Sequence, residues 1–458
     1  MKSQRLALGL FVGLFLLGLV AYLGKRPPEG ARPVAEPAKS SVAPPEGVTV
    51  GDRFSPEGML AEADRFVDDA AFRRAELERS FTNPKNSYSK ERLANYGLGK
   101  KGWDLLPEWN PRSVVATDAR NAESLMAGPP LWDGKRPKTM GAWVALGREV
   151  FFRYPMRADV IAKYAVEHPA EAATRGVVKL PDGTYPGLVH FVDIDGKEAL
   201  GITCALCHSS SDGSATGLLV GEARKSFDFG ALRLAHAASV KGNIEPELAR
   251  RMRLWGPGRA DVTEDDDEDP VAIPDLWGLR HQTHLTQAGT IRHEGPSALA
   301  IRQETQLLTS NHQKIRPPRV LAFALALFVY TLDGRTDPPT NHPGQPLFAK
   351  HCARCHANVV RGGDLVSAVS VGTDSALAAG QARGTGYYRT PALVRVKHGA
   401  PFLHHGAVKS VRELLSPERV SPGYHGGAVG DGPVPGHVFG TELPAAEREV
   451  LAGYVEAL

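Results

Sequence analysis

The four cysteines of this chain are the residues best placed to do chemistry, and they come in two pairs, Cys204 with Cys207 and Cys352 with Cys355. A histidine follows each pair at once, giving Cys204-Ala-Leu-Cys207-His208 and Cys352-Ala-Arg-Cys355-His356. This is the C-x-x-C-H pattern of covalent c-type haem attachment. At this spacing two thiols can add to the two vinyl groups of one porphyrin, and the next imidazole then lies over the iron as its proximal ligand. No cysteine is left over for a structural disulfide. A redox dithiol would not need the histidine and would normally start a helix in a βαβ setting, which the sequence does not offer. A zinc site would have to pool ligands from both motifs across an unusual separation. The pattern predicts two haem c groups held by Cys204, Cys207, Cys352 and Cys355, with His208 and His356 on the irons.

The elements that must position these motifs are predicted from periodicity. The chain has 458 residues, enough for two or more domains. Its 54 basic and 51 acidic residues nearly cancel, so no basic face argues for nucleic acid as a partner. With 48 Gly and 35 Pro, long loops between short helices are expected. Leu6 to Leu23 is apolar and uncharged, preceded by Lys2 and Arg5. It lacks a convincing small-residue cleavage site, which favours a membrane anchor over residues 1–24 rather than a cleaved signal peptide. The basic flank would stay cytoplasmic and the remainder would be exported, placing the protein in the periplasm, tethered to the inner membrane. Residues 25–50 read as a Pro/Ala-rich linker and 51–140 as a helical and loop extension. The first haem domain is expected over 141–332 and the second over 333–458.

Within these bounds, Met59, Ala63, Phe66, Val67, Ala70 and Leu77 share one face of a helix predicted over 55–81. A second helix is expected over 141–152, and period-two hairpins over 177–203. The run from Val320 to Tyr330 is eleven residues long, which suits a buried helix rather than a membrane span. A last helix is expected over 444–458. Glu264 to Asp269 is a run of six acids, read as a solvated loop; it offers hard oxygen ligands of the kind calcium takes, but at no calcium-loop spacing. The fold class predicted is mainly α, two tandem cytochrome c-like domains with long loops and small β-hairpins.

An internal repeat supports the tandem reading. Residues 274–289, Pro-Asp-Leu-Trp-Gly-Leu-Arg-His-Gln-Thr-His-Leu-Thr-Gln-Ala-Gly, align without a gap on residues 391–406, with Pro, Leu, a basic residue, His and Gly coincident. The second copy, with Arg389-Thr-Pro-Ala-Leu before Ala400-Pro-Phe-Leu-His404-His405-Gly406, resembles the bacterial di-haem cytochrome c peroxidase superfamily. That superfamily includes the haem enzyme that matures methylamine dehydrogenase and, more distantly, di-haem rubber oxygenases. Leu146-Gly-Arg-Glu-Val-Phe-Phe152 is similar to its entry segment, and His405 stands where it usually has aspartate. The resemblance covers about residues 141 to 458 and is specific around the two motifs.

The resemblance implies that hydrogen peroxide or oxygen reacts at the N-terminal haem and that electrons arrive through the C-terminal one. The donor would be a small cytochrome, a cupredoxin or a quinol-linked complex. A methionine ligand to the second iron, usual in the peroxidases, is excluded because no methionine follows Met252. Gly436-His437-Val-Phe-Gly440-Thr-Glu-Leu is similar to a rubber-oxygenase segment whose histidine is a distal ligand, so His437 is the candidate, with His425 and Tyr424 as alternatives. For the first iron, Met252, His236, His281, His284 and His293 are all candidates, or the iron is open. Glu294 is the candidate acid-base group and Trp277 the candidate electron relay, with Trp255 competing; core packing is the plain alternative for both tryptophans. A membrane-tethered electron carrier and a rubber-oxygenase-like dioxygenase stand as rival functions.

Overall fold

The apolar run at 320–330 becomes the centre of the molecule. In this computed structural model, residues 52–95, 106–109, 111, 114–118, 130–211, 217–241, 244–261, 269–311, 315–430 and 432–458 are described. Among them no helix is long and apolar enough to cross a membrane. The expected anchor and linker, Trp103 and most of the acidic run lie outside the described residues. The helices α1 (Pro56–Asp68), α2 (Ala70–Arg79), α3 (Ser87–Asn95), α4 (Met140–Arg153), α5 (Val160–Glu167) and α6 (Pro169–Thr174) come first. They are followed by α7 (Phe229–Lys241), α8 (Pro246–Trp255), α9 (Pro296–Ser310), α10 (Arg319–Thr331), α11 (Gln345–His351) and α12 (Ala445–Glu456). At 43% helix and 11% strand the protein is mainly helical with small antiparallel sheets.

Every residue of α10 from Arg319 to Tyr330 is buried, as expected of a helix apolar on all sides. Each fully buried Leu or Phe there contributes roughly 1.5–3 kcal/mol. Helix α4 crosses it at Gly147, where a Cβ would lie 1.9 Å from the Ala324 carbonyl oxygen. Only glycine allows the two backbones to meet there. Phe66 and Trp143 close on Phe323 with ring centroids at 5.2 and 5.8 Å, and Phe151 meets Phe328 at 5.3 Å.

The helix expected over 55–81 is broken in two. Ser55 caps α1 by accepting from the Gly58 N–H, and Pro56 suits its first turn. Asp69 then ends α1 and starts α2, because its carboxylate accepts from the Phe72 N–H at 2.9 Å. The apolar period runs through this joint, whereas the capping acid breaks it. Both helices are fastened inward by a buried ion network: Arg53 bonds Glu62 at 2.7 Å and Glu76 at 2.6 Å, and Arg79 bonds Glu76 at 2.8 Å. Glu62 also accepts from the Ser297 N–H at 2.9 Å, an anion at the N-terminus of α9.

The predicted hairpin forms as β3 (Thr184–Val192) and β4 (Glu198–Ile202), in a four-stranded sheet ordered β1-β3-β4-β2, with β1 at Val114–Asp118 and β2 at Arg157–Ala158. Its last strand runs straight into the first cysteine motif. Two-stranded ribbons serve the loops: β5 (Ser209–Ser211) with β6 (Leu218–Val220), β7 (Arg259–Ala260) with β8 (Val271–Ala272), β9 (His284–Leu285) with β10 (Ile291–Arg292), and β11 (Leu365–Ser367) with β12 (Tyr387–Arg389).

Candidate haem sites

The first motif leaves β4 as a single tight turn. Thr203 accepts from the Ala205 N–H at 3.3 Å, and the His208 N–H bonds back to the Cys204 carbonyl at 3.1 Å. Buried Arg224 straps the following residues, donating from Nε to the Ser209 carbonyl at 2.8 Å, while its own N–H reaches the Cys207 carbonyl at 2.8 Å. His208 Nδ1 lies 3.2 Å from the Pro274 carbonyl oxygen. A proton donated there leaves Nε2 with its lone pair free, the form that binds metal. Burial, then the charge of Arg302, pushes His208 down to about 4, so the ring is neutral at physiological pH.

The second motif is delivered by α11, whose last turn runs into Cys352. His356 Nδ1 lies 2.6 Å from the Arg361 carbonyl, and the Pro391 carbonyl also bonds the ring. Pro274 and Pro391 are the first residues of the two repeat copies. The repeat thus has a physical meaning: each copy brings a proline carbonyl to the ring of one motif histidine, although at His356 the carbonyl on Nδ1 is that of Arg361. Burial lowers the pKa of His356 as well.

The thiols favour attachment over dithiol chemistry. Burial pushes Cys204, Cys207 and Cys352 up to about 11, the opposite of an activated thiolate. All four cysteines and both histidines keep part of their surface accessible, while Cys204, Cys207 and Cys352 also pack against apolar clusters. Among the described residues no group of three or more His, Cys, Asp or Glu could hold a bare metal ion. A haem c asks for two thiols and an Nδ1-anchored imidazole, and each motif supplies residues of those types with Nδ1 bonded to a backbone carbonyl.

His437 comes to the second motif. Burial, then the charge of His356, pushes it down to about 4. Its Nδ1 is buried without a hydrogen-bond partner. The loop that carries it is strained and tightly held: His437 sits at φ 47°, and its N–H bonds the Val371 carbonyl at 2.7 Å. Arg419, wholly buried, donates to the carbonyls of Val434, Gly436 and His437 at 2.5, 2.7 and 2.9 Å. His425 is exposed, and the Tyr424 hydroxyl is engaged by Glu413. His405 folds back locally, its Nδ1 accepting from the Ala407 N–H at 3.2 Å.

The first motif has a different neighbour. Arg302 and Lys225 are the charges that bear on His208. The imidazoles considered for this iron have other contacts. His293 uses both ring nitrogens, Nδ1 toward the Gln282 carbonyl at 2.7 Å and Nε2 toward the Tyr330 hydroxyl at 2.5 Å. His236 packs on Tyr164 at 5.9 Å. The His281 carbonyl accepts from Asn358, and His284 lies among Arg292, Asp364 and Arg389. Met252 sits on α8, whose backbone packs against Gly230. Glu294 is placed 4.0 Å from Arg79 with its side chain 38% exposed, at the joint with α2.

Trp277 lies between the two motifs. Its indole is buried and donates to the Val220 carbonyl at 3.0 Å; the adjacent Gly221 N–H bonds the His208 carbonyl at 2.9 Å. A Cβ on Gly221 would stand 2.9 Å from the indole nitrogen. On the other side Trp277 packs on Val360 and Val394, and Val360 precedes the Arg361 carbonyl that holds His356. Arg395 lies over the ring at 4.8 Å. Trp255 instead stacks on Phe229 at 5.6 Å.

Two half-buried arginines escaped the sequence reading. The charge of Arg302 on α9 bears on Cys204 and His208, and Arg389 ends β12. Burial pushes Arg389 down to about 10, and among the described residues no carboxylate pairs with it. Only the Arg389-Thr-Pro string hinted at it, and that string does not say where the side chain goes. No protein-family model matches the chain, and no curated protein matches it.

Proposed function

We propose that the protein is a periplasmic di-haem c-type oxidoreductase that reduces hydrogen peroxide at the haem of Cys204 and Cys207, with electrons delivered through the haem of Cys352 and Cys355. The observation that carries this reading is the unlike setting of two like histidines: His437, its Nδ1 buried without a partner, feels the charge of His356, whereas the charges that bear on His208 are those of Arg302 and Lys225, which suit no iron here. Bound haem would supply the iron at which peroxide is cleaved and the couples that carry electrons. His208 and His356 would hold the irons from the Pro274 and Pro391 sides. His437 would close the second iron, and two neutral imidazoles there favour a lower potential than imidazole with thioether.

Trp277 bridges the backbone segments that hold the two histidines, which suits an electron relay. Arg389, which no carboxylate pairs among the described residues, would suit a propionate carboxylate, since a largely enclosed cation without a partner is costly. Peroxide consumption by the di-haem protein with a reduced small cytochrome or cupredoxin tests the proposal. Turnover that is abolished by His208→Gly supports it. A first haem that stays six-coordinate and inert to added ligands in every redox state would overturn it in favour of a tethered electron carrier.

A further inference from the structure

The two motif turns are strapped by unlike side chains. After His356 the strap is the neutral amide of Asn358. Its Oδ1 accepts from the Val360 and Gly362 N–H groups at 3.1 and 2.7 Å, and its Nδ2 donates to the His281 carbonyl at 3.2 Å. At the first motif the strap is Arg224. Its Nε donates to the Ser209 carbonyl at 2.8 Å. Its Nη2 reaches the Ser209 hydroxyl and the Pro186 carbonyl at 3.4 Å and the Ala205 carbonyl at 3.5 Å. The Arg224 N–H bonds the Cys207 carbonyl at 2.8 Å. The guanidinium is thus held by residues 205 and 209, which flank Cys207 and His208 in the chain.

Arg224 is 1% exposed, so water and salt screen little of its charge. Every oxygen it meets is an uncharged carbonyl or hydroxyl, and its Nη1 is buried without a partner. Among the described residues no carboxylate pairs with it. Two cations nearby in the fold are treated differently: Lys225 is tied to Asp275 at 2.8 Å and Arg157 to Asp159 at 2.7 Å. Burial lowers Arg224 only to about 10, so it stays charged at neutral pH. A buried guanidinium costs far more desolvation than an amide. Asn358 shows that an amide can fasten such a turn, so fastening alone does not call for a cation here.

We propose that Arg224 sets the potential of the first haem: an enclosed cation, fixed against the Cys204–His208 turn, that favours the ferrous over the ferric state. Reduction adds one electron to the site, and an unscreened positive charge close by stabilises that added negative charge. Asn358 brings no charge to the second motif, where a pair of imidazoles would lower the potential. Both devices tilt the electron the same way, from the second haem to the first. Arg224 touches backbone rather than reacting atoms, so it is a positioning residue that acts through its field. The inference rests on the reading that both motifs carry haem, and it holds whether or not the first iron is open.

The test uses the full chain with both haems attached, counted as two per chain by haemochrome absorbance. Dithionite titrates the protein in the presence of redox mediators, and low-temperature EPR follows each ferric haem separately. Arg224→Gln should lower the first haem's midpoint by about 59 mV or more, a tenfold change in the equilibrium constant of a one-electron couple, and leave the second unmoved. Arg224→Lys keeps the charge but not the planar donors, so it should recover most of that shift at pH 7. Equal midpoints in wild type and Arg224→Gln overturn the proposal. So does an equal shift in the Gln and Lys variants, which would leave Arg224 as a fastener of the turn. If Arg224→Gln takes up no haem at Cys204 and Cys207, Arg224→Lys decides. An enclosed lysine gives up its proton more readily than arginine, so its midpoint should fall below wild type as pH rises from about 7 to about 9. Parallel pH profiles would overturn the proposal. A wild-type chain that takes up fewer than two haems overturns the di-haem reading itself.

Discussion

His208 and His356 each follow a C-x-x-C motif, and each ring finds a proline carbonyl from the start of a repeat copy. The two sites part company on what else reaches the ring. At His356 it is an imidazole on a strained loop pinned by Arg419, a side chain able to donate an electron pair to a metal. At His208 it is a guanidinium, which has no lone pair to give. On the proposed reading, a repeated backbone would carry two chemistries, with the repeated part setting how each motif histidine is held and the unrepeated part setting reactivity.

The sharpest way to break this comparison is at His437. His437→Ala should convert the second haem from low-spin to high-spin in ferric EPR and leave the first haem's signal unchanged. Changes in both signals would show that the sites are not separable. His437→Met should instead stay low-spin and raise that haem's potential, read by redox titration. Next comes the bridge between the sites. Trp277→Phe keeps an aromatic core residue, so both potentials should hold while inter-haem electron transfer after flash reduction slows about tenfold, or about 1.4 kcal/mol in activation free energy. An unchanged rate would return Trp277 to plain packing.

His293 offers a smaller effect and a clean sign. Burial pushes it down to about 4, from 6.5 for an exposed imidazole. Between those values the unfolded chain takes up a proton that the native chain refuses, so stability is present above about pH 6.5 and is lost as pH falls toward 4. Urea midpoints should record a loss of up to about 3 kcal/mol across that window, and His293→Gln should flatten the slope. The smallest effect belongs to Glu294. A partly exposed pair 4.0 Å from Arg79 contributes about 0–1 kcal/mol, so Glu294→Gln should barely move the unfolding midpoint or the fluoride affinity of the first haem. A tenfold change in that affinity would restore Glu294 as the distal acid-base group.

Much of the scaffold was legible because short-range rules write it. The spacing of Cys204, Cys207 and His208 needs no tertiary context, and the apolar run at 320–330 declares a central helix whatever surrounds it. The split at Asp69 was harder to read, since the helical period continues across the cap. The grouping of Tyr88 with Arg383 and Arg302 could not be read at all. Tyr88, Arg302 and Arg383 are distant in sequence, and each sits where an exposed charged or aromatic residue would be unremarked. Arg302 is a single cation on a helix whose other core-facing residues include Leu299 and Ile301. Position on the helix alone did not tell whether it turned toward water or toward Cys204.

The buried ion network of the N-terminal helices also has a consequence for the order of events during synthesis. Glu62 completes its contacts on the backbone of Ser297, 235 residues later in the chain. Until α9 has been made, Arg53, Glu62 and Glu76 have no surface on which to be buried, and α3 has no seat for Tyr88 and Arg92. The Cys204–His208 turn is therefore made well before the N-terminal helices can be fastened, so the two are joined into one structure only after residue 297 has been added.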